Sequence, residues 1–147
     1  MLNDFFNHNR IKLDLESRTK DSVLGELVDI ITDSCSEYNK QELLEAVALR
    51  ENKMTTIIMP GVAVPHGYCN NVHGIVGAIG FSREGIEFDK SDPSPVHLFF
   101  ILIMDESSRE LNLKAFSRIL EMLKATNVNQ ISGMESSQEL YDLLCCY

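Results

Sequence analysis

Apolar positions recur along this chain with two different periods, and the changes between them mark out its elements. Near the start LNDFF can form a helical turn, after which Ile11, Leu13 and Leu15 alternate with Lys12 and Asp14 and predict a brief strand. From Asp21 the spacing becomes helical, with Leu24, Leu27, Val28 and Ile31 on one face, Thr19 available as a cap and an end near Cys35. Asn39 followed by Glu42 makes an N-terminal capping pair for a second helix. Its buried stripe would be Leu43, Leu44, Ala46 and Val47, and it should end between Arg50 and Asn52.

The middle of the chain reads differently. TTIIM, GVAV, GIVGAIGF and VHLFFILIM are β-branched or aromatic runs separated by Pro, Gly and Asn, which predicts strands. VHLFFILIM is apolar with almost no alternation, as a strand covered on both faces must be, and that requires helices on two sides of the sheet. After Asp105 the helical period returns, opened by Ser107 with Glu110, with Leu113, Phe116, Leu120 and Leu123 as its apolar stripe and Asn112 beside it. A last helix starts at the Ser136 to Glu139 capping box and carries Leu140, Leu143 and Leu144, packing as a lid on the sheet. No repeat, low-complexity tract or linker divides the chain, so the expected fold is α/β: one domain over residues 1–147, a mixed sheet with helices on both faces in α/β/α layers.

Composition narrows what such a domain does. Its 147 residues are 44% hydrophobic and 24% charged, enough to bury roughly two thirds of the unfolded surface. A formal charge of −9 argues against nucleic acid as a partner, since that binding needs clustered Lys and Arg. The start, MLNDFFNHNR, lacks the basic and apolar pattern of a secretory signal, and no run is long enough to span a bilayer, so the chain reads as cytoplasmic with no membrane insertion. Cys35, Cys69, Cys145 and Cys146 have no CxxC spacing and suit neither a disulfide framework nor a zinc site. Cys69 lies three residues past His66 in a turn-like stretch, GYCNNVHG, with nothing to lower its pKa, which disfavours a Cys/His catalytic pair. No metal or cofactor is expected.

Four histidines remain as candidates for chemistry. His8, among polar residues, is expected to be solvated, and His73 falls in a loop. His97 interrupts an apolar strand, where a hydrogen-bonded strand-end group is the ordinary reading. His66 has a more specific frame: GVAV feeds it, Pro65 fixes the backbone before it and Gly67 permits close approach after it. A neutral imidazole is a competent nucleophile, and its nitrogen can accept a phosphoryl group and later release it. From spacing alone a turn histidine at a strand end explains PHG equally well.

The run from Arg50 to Gly67, RENKMTTIIMPGVAVPHG, resembles the signature of the fructose and mannitol class of enzyme IIA domains of the phosphoenolpyruvate-dependent phosphotransferase system, a class that includes the nitrogen-regulatory IIA proteins. The likeness continues through GIEFDKSDPSPVHLFFILIMDESS and LKAFSRILEML and covers nearly the whole chain. It implies that His66 is the phosphoryl acceptor, charged by a histidine-phosphorylated carrier of the HPr type. It implies also that Arg50 lies near the site to offset phosphoryl charge. A cation at a helix end would suit Arg50 equally.

Two departures from the family pattern bear on function. In register, Asn112 stands where the family has a second histidine; its amide can donate a hydrogen bond to a phosphoryl oxygen but cannot become cationic or shuttle a proton. MTTIIMP replaces a Gly- and Ser-rich stretch before the motif. The expected function is a phosphocarrier in a regulatory, nitrogen-type branch, since no IIB or membrane segment accompanies the domain. The alternatives are a binding module with the same fold and inefficient transfer, and a IIA component of fructose or mannitol uptake. Expected partners are the HPr-type carrier and either regulatory targets or a IIB component.

Overall fold

Six strands form one mixed sheet in the computed structural model, which describes all of residues 1–147. Its spine is the antiparallel pair β5 (Ile75–Ile86) and β6 (Val96–Met104). β1 (Phe6–Lys12) lies parallel to β5 on one side. On the other side of β6 run β3 (Val62–Ala63) and β4 (His66–Tyr68), both parallel to it, and β2 (Ile57–Met59) pairs antiparallel with β3.

The apolar run of β6 has the two-sided burial its composition demands. Leu98, Phe100, Leu102 and Met104 enter the core on one face, and Val96, Phe99, Ile101 and Ile103 enter the core on the other. Each such side chain, withdrawn from water, contributes about 1.5–3 kcal/mol as an upper estimate. α1 (Lys20–Ser34) and α2 (Lys40–Glu51) cover the second face through Val23, Leu27, Ile31, Leu43 and Val47. α3 (Arg109–Ala125), α4 (Val128–Ser132) and α5 (Ser137–Leu144) cover the first through Ile119, Met122, Ile131, Leu140 and Leu144. No helix is long and apolar enough to cross a membrane.

Caps read from the sequence hold in three helices. Thr19 accepts from the Ser22 N–H at the start of α1, Asn39 from the Glu42 N–H at α2, and Ser136 from the Glu139 N–H at α5. Other expectations need correction. The first strand is Phe6–Lys12, so Leu13 and Leu15 follow it rather than belong to it, because pairing with β5 selects the earlier residues. The segment after β6 opens with a 3-10 turn, Glu106–Ser108, and α3 starts at Arg109 with no side-chain cap. Ser107 instead donates its hydroxyl to Asp105 Oδ1 (2.8 Å).

The stripe on α3 is also displaced. Ala115, Ile119, Met122 and Leu123 are buried, whereas Leu113 is 72% exposed and Leu120 39%. The sheet takes the smaller Ala115 in place of Leu113, which turns the buried face by about 100° from the leucine stripe. α4, five residues capped by Asn127, is too short to leave a periodic signal in the sequence. His8 lies half-buried in β1 with its ring 5.5 Å from that of Tyr141, not free in solvent.

Candidate functional site

The segment Gly61 to Gly67 runs along one edge of β6 without losing register. Val62 pairs with Leu98 and His66 with Leu102, the same offset on either side of Pro65. Pro65 has no N–H to give, but its carbonyl accepts from Leu102 N (2.9 Å), so the ladder continues through it. His66 therefore opens a strand, where the sequence suggested only a turn at a strand end. Gly67 must be glycine, since a Cβ there would lie 2.6 Å from the backbone carbon and oxygen of Ala46 in α2. That close approach presses the strand carrying His66 against the helix carrying Arg50.

The imidazole of His66 is oriented from two directions. Nδ1 lies 2.9 Å from Val64 O. A carbonyl oxygen only accepts, so Nδ1 carries the proton, and in the neutral ring the lone pair sits on Nε2. Phe116 of α3 meets the ring edge to face, with centroids 5.2 Å apart at 83°. Burial pushes the imidazole below its ordinary value, the bond to Val64 opposes that, and the nearby Arg50 guanidinium adds to it. A neutral imidazole and an adjacent cation are thus found together.

Arg50 stands in the last turn of α2 and donates Nη1 to Met54 O (2.7 Å), closing the loop that follows the helix. Asn112 lies in the first turn of α3, one turn before Phe116 and hence on the same helix face. Its Oδ1 is buried with no hydrogen-bond partner. An orphaned buried acceptor of this kind costs about 1–3 kcal/mol.

Two residues of this neighbourhood escaped the sequence reading in their local role. Phe116 was expected only as core, yet its ring forms the wall behind His66. Glu51 is 3% exposed; its carboxylate accepts from Thr56 N (3.1 Å) and Thr56 Oγ1 (2.6 Å), with Lys20 Nζ at 3.9 Å. It ties the strand entering the GVAV segment to the end of α2. Spacing could have found it, because Glu51 continues the buried series Leu43, Val47 at four-residue intervals.

The remaining candidates go elsewhere. Cys69 is buried in the core on the α1 and α2 side, whereas His66 faces α3, so the two do not form a pair. His73 is exposed in the loop before β5. His97 sits at the opposite end of β6, its Nδ1 2.7 Å from Ser82 O. All four cysteines are free thiols, and no group of three His, Cys, Asp or Glu is arranged to hold a metal ion.

The family model described as "Phosphoenolpyruvate-dependent sugar phosphotransferase system, EIIA 2" matches residues 4–145. The fructose-specific EIIABC component of Bacillus subtilis strain 168 is 28% identical over 144 residues, covering 97% of this chain; the chain spans 23% of that protein's length. A nitrogen regulatory protein of Pseudomonas aeruginosa is 23% identical over 97% of this chain and 94% of its own. Among solved structures, the nitrogen regulatory protein IIA-Ntr of Neisseria meningitidis superposes with a TM-score of 0.86 at 25% identity, over 97% of this chain and 98% of that one.

Proposed function

The chain belongs to the EIIA 2 family of the phosphoenolpyruvate-dependent sugar phosphotransferase system, and on that premise we propose that residues 1–147 form one IIA domain that carries a phosphoryl group on Nε2 of His66. The observation that supports this most directly is the Nδ1 bond to Val64 O, which leaves Nε2 as the nucleophilic nitrogen of the neutral ring. Nε2 attacks phosphorus, the P–N bond to the donor's histidine breaks, and the donor imidazole leaves with its electron pair. The proton stays on Nδ1, donated to Val64 O, so the phosphorylated ring is cationic and prepared to be a leaving group in turn. Arg50 offsets the charge of the transferring group.

The donor in this reading is an HPr-type carrier. We place the protein in a regulatory branch, as the likeness to IIA-Ntr over almost the full length of both chains supports. Asn112 supports it too: without a second imidazole the site has no extra cation to hasten onward transfer, and a slower carrier suits signalling by phosphorylation state. The same residue is what favours a second reading, a docking module with the IIA fold and little transfer. Sugar uptake through a fructose-type IIB is the third, supported by the Bacillus subtilis relative.

Incubation with phosphoenolpyruvate, enzyme I and an HPr-type carrier should yield an acid-labile phosphoryl adduct that His66→Ala abolishes. A folded sample that takes up none would overturn the carrier reading and leave the docking module.

A further inference from the structure

The end of β6 opposite His66 holds a second imidazole with a guanidinium beside it. His97, Arg83, Phe81, Val128, Asn129 and Ser132 line a cavity of about 260 Å³ where β5 and β6 meet α4. This is roughly eight waters' worth of space and below the usual range for drug-sized ligands, so an occupant would be small.

Its polar groups converge with capacity to spare. His97 Nδ1 is 2.7 Å from Ser82 O and must be the donor of that pair; the ring is stacked over Phe81 with centroids 6.1 Å apart. These contacts hold the imidazole in place while Nε2 has no protein partner. Arg83 spends one N–H on Ser132 O (3.1 Å), which holds the guanidinium beside the cavity with its other donors unengaged. Ser132 in turn donates its hydroxyl to Asn129 O (3.0 Å) and retains its acceptor pairs, and the Asn129 carboxamide is unbonded and exposed.

Two further features point to the charge of the ligand. In a protein of net charge −9, no Asp or Glu lines this cavity, and Arg83 is its one charged side chain. The neighbouring Glu84 is turned to an ion pair with Arg18. Gly85 keeps the free edge of the imidazole clear: its φ is +81°, and a Cβ would lie 2.9 Å from His97 Cε1 and 3.1 Å from Nε2.

We propose that this cavity binds a small phosphate, either inorganic phosphate or a compact phosphomonoester. The Arg83 fork and the Asn129 amide donate to its oxygens, and His97 Nε2 forms a further hydrogen bond to it. A carboxylate would fit less well, because it brings two oxygens to these converging groups where a phosphate brings three or more. Phe81 and Val128 supply the apolar wall for the carbon portion of an ester.

The test uses the full chain carrying His66→Ala, so that the outcome does not depend on the phosphocarrier reading and the other histidine–arginine site cannot take the anion. Backbone and imidazole 15N resonances are followed while inorganic phosphate, glycerol 3-phosphate or acetate is added at constant ionic strength. Phosphate should give saturable shifts at Arg83, Gly85, His97 and residues 128–132, with a Kd of about 1 mM or tighter. Arg83→Ala, verified as folded by the same spectra, should weaken it by about tenfold or more, and Arg83→Lys by an intermediate factor. A larger response to glycerol 3-phosphate than to phosphate would identify the ester as the better ligand. Absence of saturable shifts at these residues, or shifts unchanged by Arg83→Ala, would overturn the site. Acetate binding as tightly as phosphate would overturn its assignment to phosphates.

Discussion

His66 and His97 lie at opposite ends of β6, the first on its neighbour β4 and the second on β6 itself, and are built by the same local devices. In each, Nδ1 is tied to a backbone carbonyl, at 2.9 Å and 2.7 Å, and the ring rests on a phenylalanine. Each has an arginine close by and a carboxamide on the adjoining helix. The surroundings differ. His66 stands between α2 and α3, with Leu49 exposed on α2, Met54 in the loop after it and Leu113 on α3, and in the proposed function it must be reached by a protein partner. His97 is recessed in a cavity too small for one. A histidine's immediate hydrogen bonds set which nitrogen is reactive, but the breadth of open surface around it sets whether a macromolecule or a small anion can reach that nitrogen.

The strongest challenge to this contrast is loss of the proposed phosphoryl acceptor. His66→Ala should remove all acid-labile label in the phosphoenolpyruvate assay, with His73→Ala, in an exposed loop, labelling as before. Residual acid-labile label on His66→Ala, mapped to His97, would erase the functional distinction between the two ends. Next in size is Gly67→Ala. Its Cβ would collide with α2 backbone that cannot yield as a side-chain tip can, so unfolding in urea should reveal a loss of about 1–3 kcal/mol. An unchanged midpoint would mean that β4 and α2 can separate freely, and the enforced proximity of His66 and Arg50 would fall with it.

Asn112→His restores a group that can become cationic on the face beside Phe116. Transfer to His66 should quicken by on the order of tenfold, the equivalent of one added charge-assisted hydrogen bond. An unchanged rate, read from the time course of labelling, would put the limiting step elsewhere.

The smallest effect concerns protonation. His66 titrates below its ordinary 6.5 chiefly through burial, with Arg50 a lesser cause, so Arg50→Gln should raise its pKa part of the way back toward that value in an NMR titration. The accompanying stability effect has a definite sign. With the folded value depressed, the unfolded chain binds the proton more tightly, so this group's contribution is intact above pH 6.5 and declines as pH falls through 6.5 toward the folded pKa. A rise in the titration point of the folded ring above 6.5 would reverse both the sign and the inference of a neutral nucleophile.

Much of this molecule was legible in one dimension. The unbroken apolar run of VHLFFILIM required two covered faces, and Thr19, Asn39 and Ser136 announced three helix starts because a side-chain cap is a contact within four residues. Pro65, His66 and Gly67 could be picked out because they are contiguous, although what requires glycine at 67 is the Ala46 backbone of α2, far off in the chain. Errors arose where a nonlocal partner chose among equivalent candidates. Pairing with β5 drew the first strand to Phe6–Lys12, and the sheet took Ala115 and Ile119 of α3 in preference to Leu113 and Leu120.

The sequence by itself determined the layered α/β architecture and most of its elements, and it singled out the PHG motif as a candidate, since these rest on periodicity, caps or a contiguous run. Only the tertiary structure decided which imidazole nitrogen is free, that Phe116 backs the ring, that Glu51 anchors the neighbouring loop, and that His97 and Arg83 share a cavity. Those facts depend on distances between residues far apart in the chain. Burial, hydrogen-bond direction and proximity of charge arise from packing, and packing is a property of the folded surfaces together.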